Sequence, residues 1–153
     1  MLKKIHALLK DREFISVASC DLRARPNAAP KFLLKIEDRY MYLVDYSIGR
    51  TWENLKANPR LSLSFADVDT LYCYQINGSV EIIDSGPEYE LIAQELLKKQ
   101  VDLSIRRIME GLTTQRTHRS FEAGIANRFV IFKVKIREIA ETAPTGTVKR
   151  EEL

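Results

Sequence analysis

The chain has 153 residues, of which 45% are hydrophobic and 29% charged, a balance typical of one soluble globular domain. Its net charge of +3 is small for a protein that binds nucleic acid nonspecifically, and no apolar run reaches the ~20 residues of a membrane span. Cys20 and Cys73 lie in separate strand-like runs, so they predict neither a disulfide framework nor a zinc site. Because the N-terminus lacks a long apolar leader, we expect a cytoplasmic protein.

Hydrophobic periodicity and turn residues predict a chain made mainly of strands. The predicted strands, in chain order, are 14–20, 27–36, 40–45, 61–66, 72–82 and 126–139. The predicted helices are 2–10, 50–57, a segment that begins at Ser85 and Pro87, and about 103–110. Consecutive strands joined by short turns favour antiparallel pairing, so we predict a mainly β fold, a small six-stranded closed or split barrel with peripheral helices.

The predicted organisation is a single barrel domain over residues 1–141. A helical insertion occupies about 87–119, and residues 142–153 are expected to form a C-terminal arm or flexible tail. Gly78 interrupts the buried face of the fifth strand and predicts a bulge or a close approach of another backbone. The segment 104–119 carries four arginines against one acid, which fits either a local anion site or an exposed helix face.

The segment 47–55 joins the third strand to the short helix and gathers groups that suit an anion. Gly49 allows close backbone approach, Arg50 can bind phosphate oxygens through two nitrogens, and Thr51 adds a hydroxyl donor. Unpaired N–H groups and the helix dipole favour negative charge at the same place. The segment predicts a phosphate site, although Ser47 as a plain helix cap and Arg50 as a solvated side chain explain it equally well.

Five segments follow one another in an order that is specific as a set. They are RPNAAP at 25–30, YLVD at 42–45, GRTWENLKANPRLSL at 49–63, YQINGSVE at 74–81 and DSGPEY at 84–89. This series resembles the flavin-binding split barrel of the pyridoxamine 5′-phosphate oxidase-like family. The resemblance implies a split barrel that binds FMN at a homodimer interface, with each subunit contributing to both flavin sites.

The resemblance also implies which residues bind the cofactor. The ring is expected along the backbone of one strand, and the ribityl chain and phosphate beside the turn that follows another. The implied cofactor-binding residues are Ala28, Ala29, Pro30 and Lys31 at the ring, Val44, Asp45 and Ser47 beside the ribityl chain and phosphate, and Arg50 and Thr51 at the phosphate. For the two alanines, ordinary strand packing is the alternative.

Two departures from the family pattern argue against pyridoxamine-phosphate oxidase activity. Thr51 stands where the oxidases have a second cation, and residues 142–153 do not match the oxidase C-terminus. We therefore expect an FMN-dependent oxidoreductase acting on an unidentified small molecule. The alternatives are a non-catalytic FMN carrier or electron-transfer module, or a relative that binds deazaflavin F420 or haem.

No side chain is assigned a catalytic role from the sequence, and no metal, nucleic-acid or membrane site is expected. His118 fits either an exposed loop or a proton donor near the ring. Trp52 is better explained as a core residue than as a residue that covers the flavin. Gln75 lies on the polar face of the fifth strand, where a contact with a ligand or water and an ordinary surface position are equally good explanations.

Overall fold

The computed structural model of the chain describes residues 1–114 and 128–153. Three helices and seven strands lie in these ranges. In chain order they are α1 (Leu2–Leu9), β1 (Phe14–Cys20), β2 (Pro26–Glu37), β3 (Tyr40–Asp45), α2 (Arg50–Ala57), β4 (Arg60–Asp67), β5 (Tyr72–Ile83), α3 (Pro87–Thr114), β6 (Val130–Thr142) and β7 (Val148–Glu152).

The first six strands close into an antiparallel barrel, which confirms the predicted fold. The strand order is β3-β2-β1-β4-β5-β6-β7, and β3 also pairs with β6. Strand β6 makes this closure possible because it is long enough to pair with both β3 and β7 along one edge. Its residues 130–135 pair with β3 and its residues 138–142 pair with β7, while the other edge pairs with β5.

The barrel interior is filled by the apolar side chains that alternate along each strand. The largest fully buried members on the strands are Leu33, Met41, Leu43, Leu63, Tyr74, Ile76 and Phe132. Helix α1 adds Ile5 and Leu9 to this cluster, and α2 adds Leu55. The two helices cover opposite ends of the barrel, since His6 bonds to the carbonyl of Asp38 in the β2–β3 turn whereas α2 follows the far end of β3.

A second apolar cluster lies outside the barrel, where α3 packs on β2, β3 and β6. Ile92, Leu96 and Leu103 of the helix meet Phe32 and Val44 of the strands. These three positions share one face of a helix that runs without a break from Pro87 to Thr114. The predicted division into two helices is therefore wrong: α3 is continuous to Thr114 and does not end at Gly111.

The C-terminal residues, expected to form an arm or flexible tail, include a strand that the sequence did not predict. Residues 148–152 form β7 and extend the sheet beyond the barrel through a turn that includes Gly146, which has a φ of +83°. The stretch has little apolar content, so periodicity gave no strand signal. Strand β6 begins at Val130 rather than 126. His118 lies outside the described residues.

Gly78 confirms the predicted close approach. A Cβ atom there would lie 2.6 Å from Val134 Cγ1 and 2.9 Å from the carbonyl oxygen of Lys135. The β5–β6 register shifts at the same point, so that Asn77 pairs with Glu138 and Gly78 with Ile136. Within residues 1–114 and 128–153, no helix is long and apolar enough to cross a membrane, and no cluster of potential metal ligands is found.

Candidate functional site: the start of α2 and the free edge of β2

The turn between β3 and α2 presents an open helix N-terminus. Ile48 adopts a φ of +40°, a conformation that is costly for a β-branched residue, and this reverses the chain into the helix. Gly49 is the N-cap, and its carbonyl accepts the first helical hydrogen bond, from the N–H of Glu53. A Cβ atom at Gly49 would meet nothing within 4 Å. Among the described residues, no group accepts a hydrogen bond from the N–H groups at 50–52, the first of α2.

Arg50 and Thr51 provide a charge and a hydroxyl at this N-terminus. The Arg50 side chain is exposed and makes no hydrogen bond or ion pair with any residue that the structure describes. Thr51 is buried, and its Oγ1 accepts a hydrogen bond from Asn27 Nδ2 at 3.0 Å. Because Oγ1 is the acceptor there, the Thr51 hydroxyl hydrogen can still be donated. These groups suit a phosphate, whose oxygens need donors and positive charge.

The predicted site residues Lys31, Asp45 and Ser47 form one hydrogen-bonded unit beneath the turn. Asp45 Oδ1 accepts from Lys31 Nζ at 2.8 Å, from the Ser47 N–H at 3.1 Å and from the Ser47 hydroxyl at 2.7 Å. The side chains of Lys31 and Asp45 are only 5% and 1% exposed. Both charged groups therefore point into the barrel. The hydrogen bonds among Lys31, Asp45 and Ser47 stabilise the shape of the turn, and these side chains do not present free donors at the surface.

Asp45 Oδ2 is also buried, and it has no hydrogen-bond partner among the described residues. A buried carboxylate oxygen normally finds a donor, so this atom is an unusual feature of the site. It lies next to the turn that leads to Gly49. The carboxylate thus retains one acceptor that no described donor uses.

The first half of β2 leaves one backbone edge free. Leu33 N–H donates to the Glu13 carbonyl, so the odd-numbered residues of β2 bond to β1 and the even-numbered ones point to the opposite edge. β3 covers that edge only from Phe32 onward. Ala28 therefore has a backbone N–H and C=O that no strand of the described sheet pairs. Pro26 and Pro30, which have no N–H, occupy the other free-edge positions.

The structure brings the predicted residues together in two adjoining parts. Asp45, Ser47, Arg50 and Thr51 form the turn and helix start, while Ala28 and Pro30 lie on the free strand edge and Ala29, between them, bonds to β1; the Asn27–Thr51 hydrogen bond links the two parts. Lys31 supports the turn from inside. Val44 is buried in the outer cluster and faces α3. Whether each residue contacts a cofactor stays a prediction.

The sequence analysis did not identify three residues that support the site: Asn27, Tyr46 and Gln100. Asn27 donates a hydrogen bond to Thr51. The feature of the sequence that could have identified it is a polar side chain among the inward-facing positions of β2. The ring of Tyr46 packs edge to face against Phe129. Its hydroxyl accepts a hydrogen bond from Gln100 Nε2 at 2.5 Å. Burial raises the pKa of Tyr46, with the Gln100 hydrogen bond opposing that shift. Periodicity does not reveal a contact between a turn and the distant helix α3.

Other candidates have structural roles. Gln75 donates to Ser62 and Asn77 on the exposed face of β5, and Tyr74 is part of the barrel core. Trp52 packs against that core and lines a cavity of about 290 Å³ beside Ile48. Its indole nitrogen is buried without a hydrogen-bond partner in the described chain.

The family model of pyridoxamine 5′-phosphate oxidase matches residues 1–143. The chain belongs to this family. The match covers the barrel, the turn at Gly49 and the whole of α3. Family membership and the split-barrel fold predicted from the five sequence segments are therefore confirmed. No curated protein matches the chain at a significant level.

Solved structures of this family and of related proteins share the fold at low identity. A Clostridium acetobutylicum protein related to general stress protein 26, of the pyridoxinephosphate oxidase family, is 14% identical, with a TM-score of 0.71 over 99% of this chain and 94% of its own. A pyridoxamine 5′-phosphate oxidase-related, FMN-binding protein from Nostoc punctiforme is 9% identical, with a TM-score of 0.59 over 99% and 95%. An F420 reductase is 16% identical, with a TM-score of 0.56 over 88% and 94%.

Proposed function

We propose that this member of the family binds FMN and acts as a flavin-dependent oxidoreductase on a small molecule. The observation that carries the proposal is the exposed Arg50 at the open N-terminus of α2, beside the free backbone edge at Ala28. A phosphate binds at a positive charge and free N–H groups, which Arg50 and the start of α2 provide. The heteroatoms of a flavin ring form hydrogen bonds, which the free backbone groups of Ala28 can make. The similarity to an FMN-binding protein from Nostoc punctiforme supports the choice of flavin.

The residues of this chain would hold and orient the cofactor. Arg50, the Thr51 hydroxyl and the first N–H groups of α2 would neutralise the phosphate through charge-assisted hydrogen bonds. Ala28 would offer one donor and one acceptor to the ring edge without a bulky side chain in the way. When bound, the flavin itself supplies the hydride or electron transfer. No side chain of the chain is needed as an acid or a base.

We also propose that the protein works as a homodimer in the cytoplasm. A ring placed along the β2 edge would have the exposed Ala28 and Pro30 on one side only, so a second subunit is needed to shield it from water. Both cysteines are free, as is usual in a reducing compartment. Light scattering coupled to gel filtration should give twice the monomer mass; a monomer that still binds flavin would contradict the dimeric site.

The second candidate is a deazaflavin F420-binding protein. It is favoured by the similarity to an F420 reductase, and F420 also carries a phosphate that Arg50 could bind. A non-catalytic flavin carrier is the third reading; it predicts bound cofactor that no donor or acceptor turns over.

The deciding experiment is to purify the protein without added cofactor, record its absorption spectrum and identify the extracted ligand by mass spectrometry. We expect a flavin spectrum and the mass of FMN. Extracted F420 would favour the second candidate. A colourless protein that does not bind added FMN would contradict both the flavin assignment and the reaction class.

A further inference from the structure

A small cavity lies on the side of α2 that faces away from Arg50. Its lining comes from the turn before α2, from α2 itself, from the connection between β5 and α3, from the first turn of α3 and from the beginning of β6. The cavity has a volume of about 290 Å³. Ligand pockets of this size take a small molecule and not a cofactor as large as a nucleotide.

The cavity is separate from the proposed flavin site. Successive helical residues are about 100° apart around the axis, so Trp52, which lines the cavity, projects from nearly the opposite side of α2 to Arg50. Val130, another lining residue, pairs with Asp45 on the β6 side of β3, whereas Ala28 belongs to β2 on the other side of β3. Among the described residues, none that lines the cavity belongs to β1 or β2.

An acid and a base line this cavity without pairing with each other. They are Asp84, directly after β5, and Arg128, just before β6. In the part of the chain that the structure describes, neither side chain has an ion-pair partner within 4.0 Å. Asp84 Oδ1 accepts a hydrogen bond from the adjacent Ser85 hydroxyl at 3.2 Å. A bound anion would be repelled by Asp84 and a bound cation by Arg128, whereas a ligand with both charges can pair with both side chains.

The indole N–H of Trp52 is a further donor at the cavity. Trp52 Nε1 is buried and has no acceptor among the described residues, although a buried indole N–H usually has one. A carboxylate in the cavity can accept hydrogen bonds from Trp52 and from Arg128, while an ammonium group can donate to Asp84. The polar groups of the lining therefore match the two charged groups of a zwitterion.

The remaining lining is apolar. The rings of Tyr89 and Phe129 stack with their centroids 5.1 Å apart, and the Tyr89 hydroxyl donates to the Phe129 carbonyl at 3.3 Å. These two contacts fix both rings relative to each other. Ile48 and Val130 add aliphatic surface, so the cavity also offers a place for an apolar side chain.

We propose that this cavity binds a free amino acid with an apolar side chain. The ammonium group of the ligand pairs with Asp84, its carboxylate accepts from Arg128 and Trp52, and its side chain packs against Ile48 and Phe129. The site is additional to the flavin site and does not depend on it.

The test is isothermal titration calorimetry of the purified protein with three probes that share one apolar body. L-leucine carries both charged groups, 4-methylpentanoate lacks the ammonium group and 3-methylbutylamine lacks the carboxylate. We expect L-leucine to bind at least about tenfold more tightly than either analogue, because each analogue leaves one charged side chain of the cavity without its partner. Equal affinity for all three probes, or no binding of L-leucine at millimolar concentration, would refute the proposal.

Two variants show whether the binding is in this cavity. Asp84→Asn should weaken L-leucine binding about tenfold without weakening 4-methylpentanoate, and Arg128→Gln should weaken it similarly without weakening 3-methylbutylamine. The matched controls, Asp69→Asn and Arg39→Gln, change exposed residues in turns at the other end of the barrel and should leave the affinity unchanged. An Asp84→Asn/Arg128→Gln double variant that binds L-leucine as tightly as the wild type would refute the site.

Arg50→Ala distinguishes this cavity from the proposed flavin site. It should leave the affinity for L-leucine unchanged, because Arg50 projects from the other side of α2. A loss of L-leucine binding in this variant would place the ligand at the start of α2 and refute a separate site. Circular dichroism of each variant checks that it is folded.

Discussion

The ion pair between Lys31 and Asp45 determines the shape of the turn that precedes α2. Asp45 Oδ1 accepts both the N–H and the hydroxyl of Ser47 while it neutralises Lys31. Both charged side chains are almost fully buried. Removing one partner therefore leaves an uncompensated charge in the interior, which costs far more than an intact pair contributes.

Asp45→Asn should reveal this arrangement at the scale of single residues. The amide oxygen can still accept from Ser47, but Lys31 keeps its charge without a counter-ion, so we expect the free energy of unfolding to fall by about 3–5 kcal/mol. The double variant Lys31→Met/Asp45→Asn removes both charges and should recover a large part of that loss. Urea unfolding measures both. A double variant less stable than Asp45→Asn would contradict the role of the buried charge.

At the residue scale, the sequence predicted a phosphate site in the segment 47–55 but not the residues that support it. A glycine, an arginine and a threonine before a helix are recognisable from order alone, and the structure places them at an open helix start. The side-chain hydrogen bonds of Asn27 and Ser47 depend on which face of a strand or turn meets another element. That information is three-dimensional, so the sequence could suggest Lys31 as a ring contact but not its burial against Asp45.

At the scale of elements, the β5–β6 pair depends on a glycine. A side chain at Gly78 would overlap Val134 and the Lys135 carbonyl, and both partners belong to the packed barrel wall. Gly78→Ala should therefore lower stability by about 1–3 kcal/mol, measured by urea unfolding. Gly49→Ala is the control, because its new methyl group meets nothing within 4 Å; an equal loss in both variants would exclude steric overlap as the cause.

The attachment of α1 to β6 should depend on pH. Lys4 Nζ lies 2.7 Å from Glu141 Oε2, and this hydrogen bond lowers the pKa of Glu141. Below the ordinary glutamate pKa, the unfolded chain binds a proton that the folded chain does not yet bind, so stability falls as the pH drops through the lowered value.

Glu141→Gln should therefore make stability less sensitive to acid. Comparing urea midpoints at about pH 6 and about pH 3.5, on either side of the ordinary glutamate pKa, should show a smaller difference in Glu141→Gln than in the wild type. Glu152→Gln, at an exposed position of β7, is the control and should behave as the wild type. An unchanged pH difference in Glu141→Gln would show that the ion pair does not contribute.

At the scale of the whole molecule, the six strands and the barrel type followed from the sequence, whereas the order of the strands and the periphery did not. Alternating apolar positions and short turns specify six antiparallel strands because each strand must bury one face. The sequence predicted two helices in place of α3, the second from about residue 103 to 110 with its end at Gly111, a typical helix-ending residue. Packing of Leu103 on the same outer cluster as Leu96 overrides that local preference. Strand β7 has no buried face of its own, so only its pairing with β6 reveals it.

The central claim is that Arg50, at the start of α2, holds the phosphate of a flavin. An equilibrium titration of the cofactor-free protein with FMN, followed by flavin fluorescence, tests it most directly in the wild type, Arg50→Ala and the control Arg39→Ala. We expect the wild type and Arg39→Ala to bind alike, and Arg50→Ala to bind at least about tenfold more weakly, since a charge-assisted hydrogen bond is lost, with its thermal stability unchanged. Equal affinity of all three proteins would contradict the claim and would indicate that Arg50 is an ordinary solvated side chain.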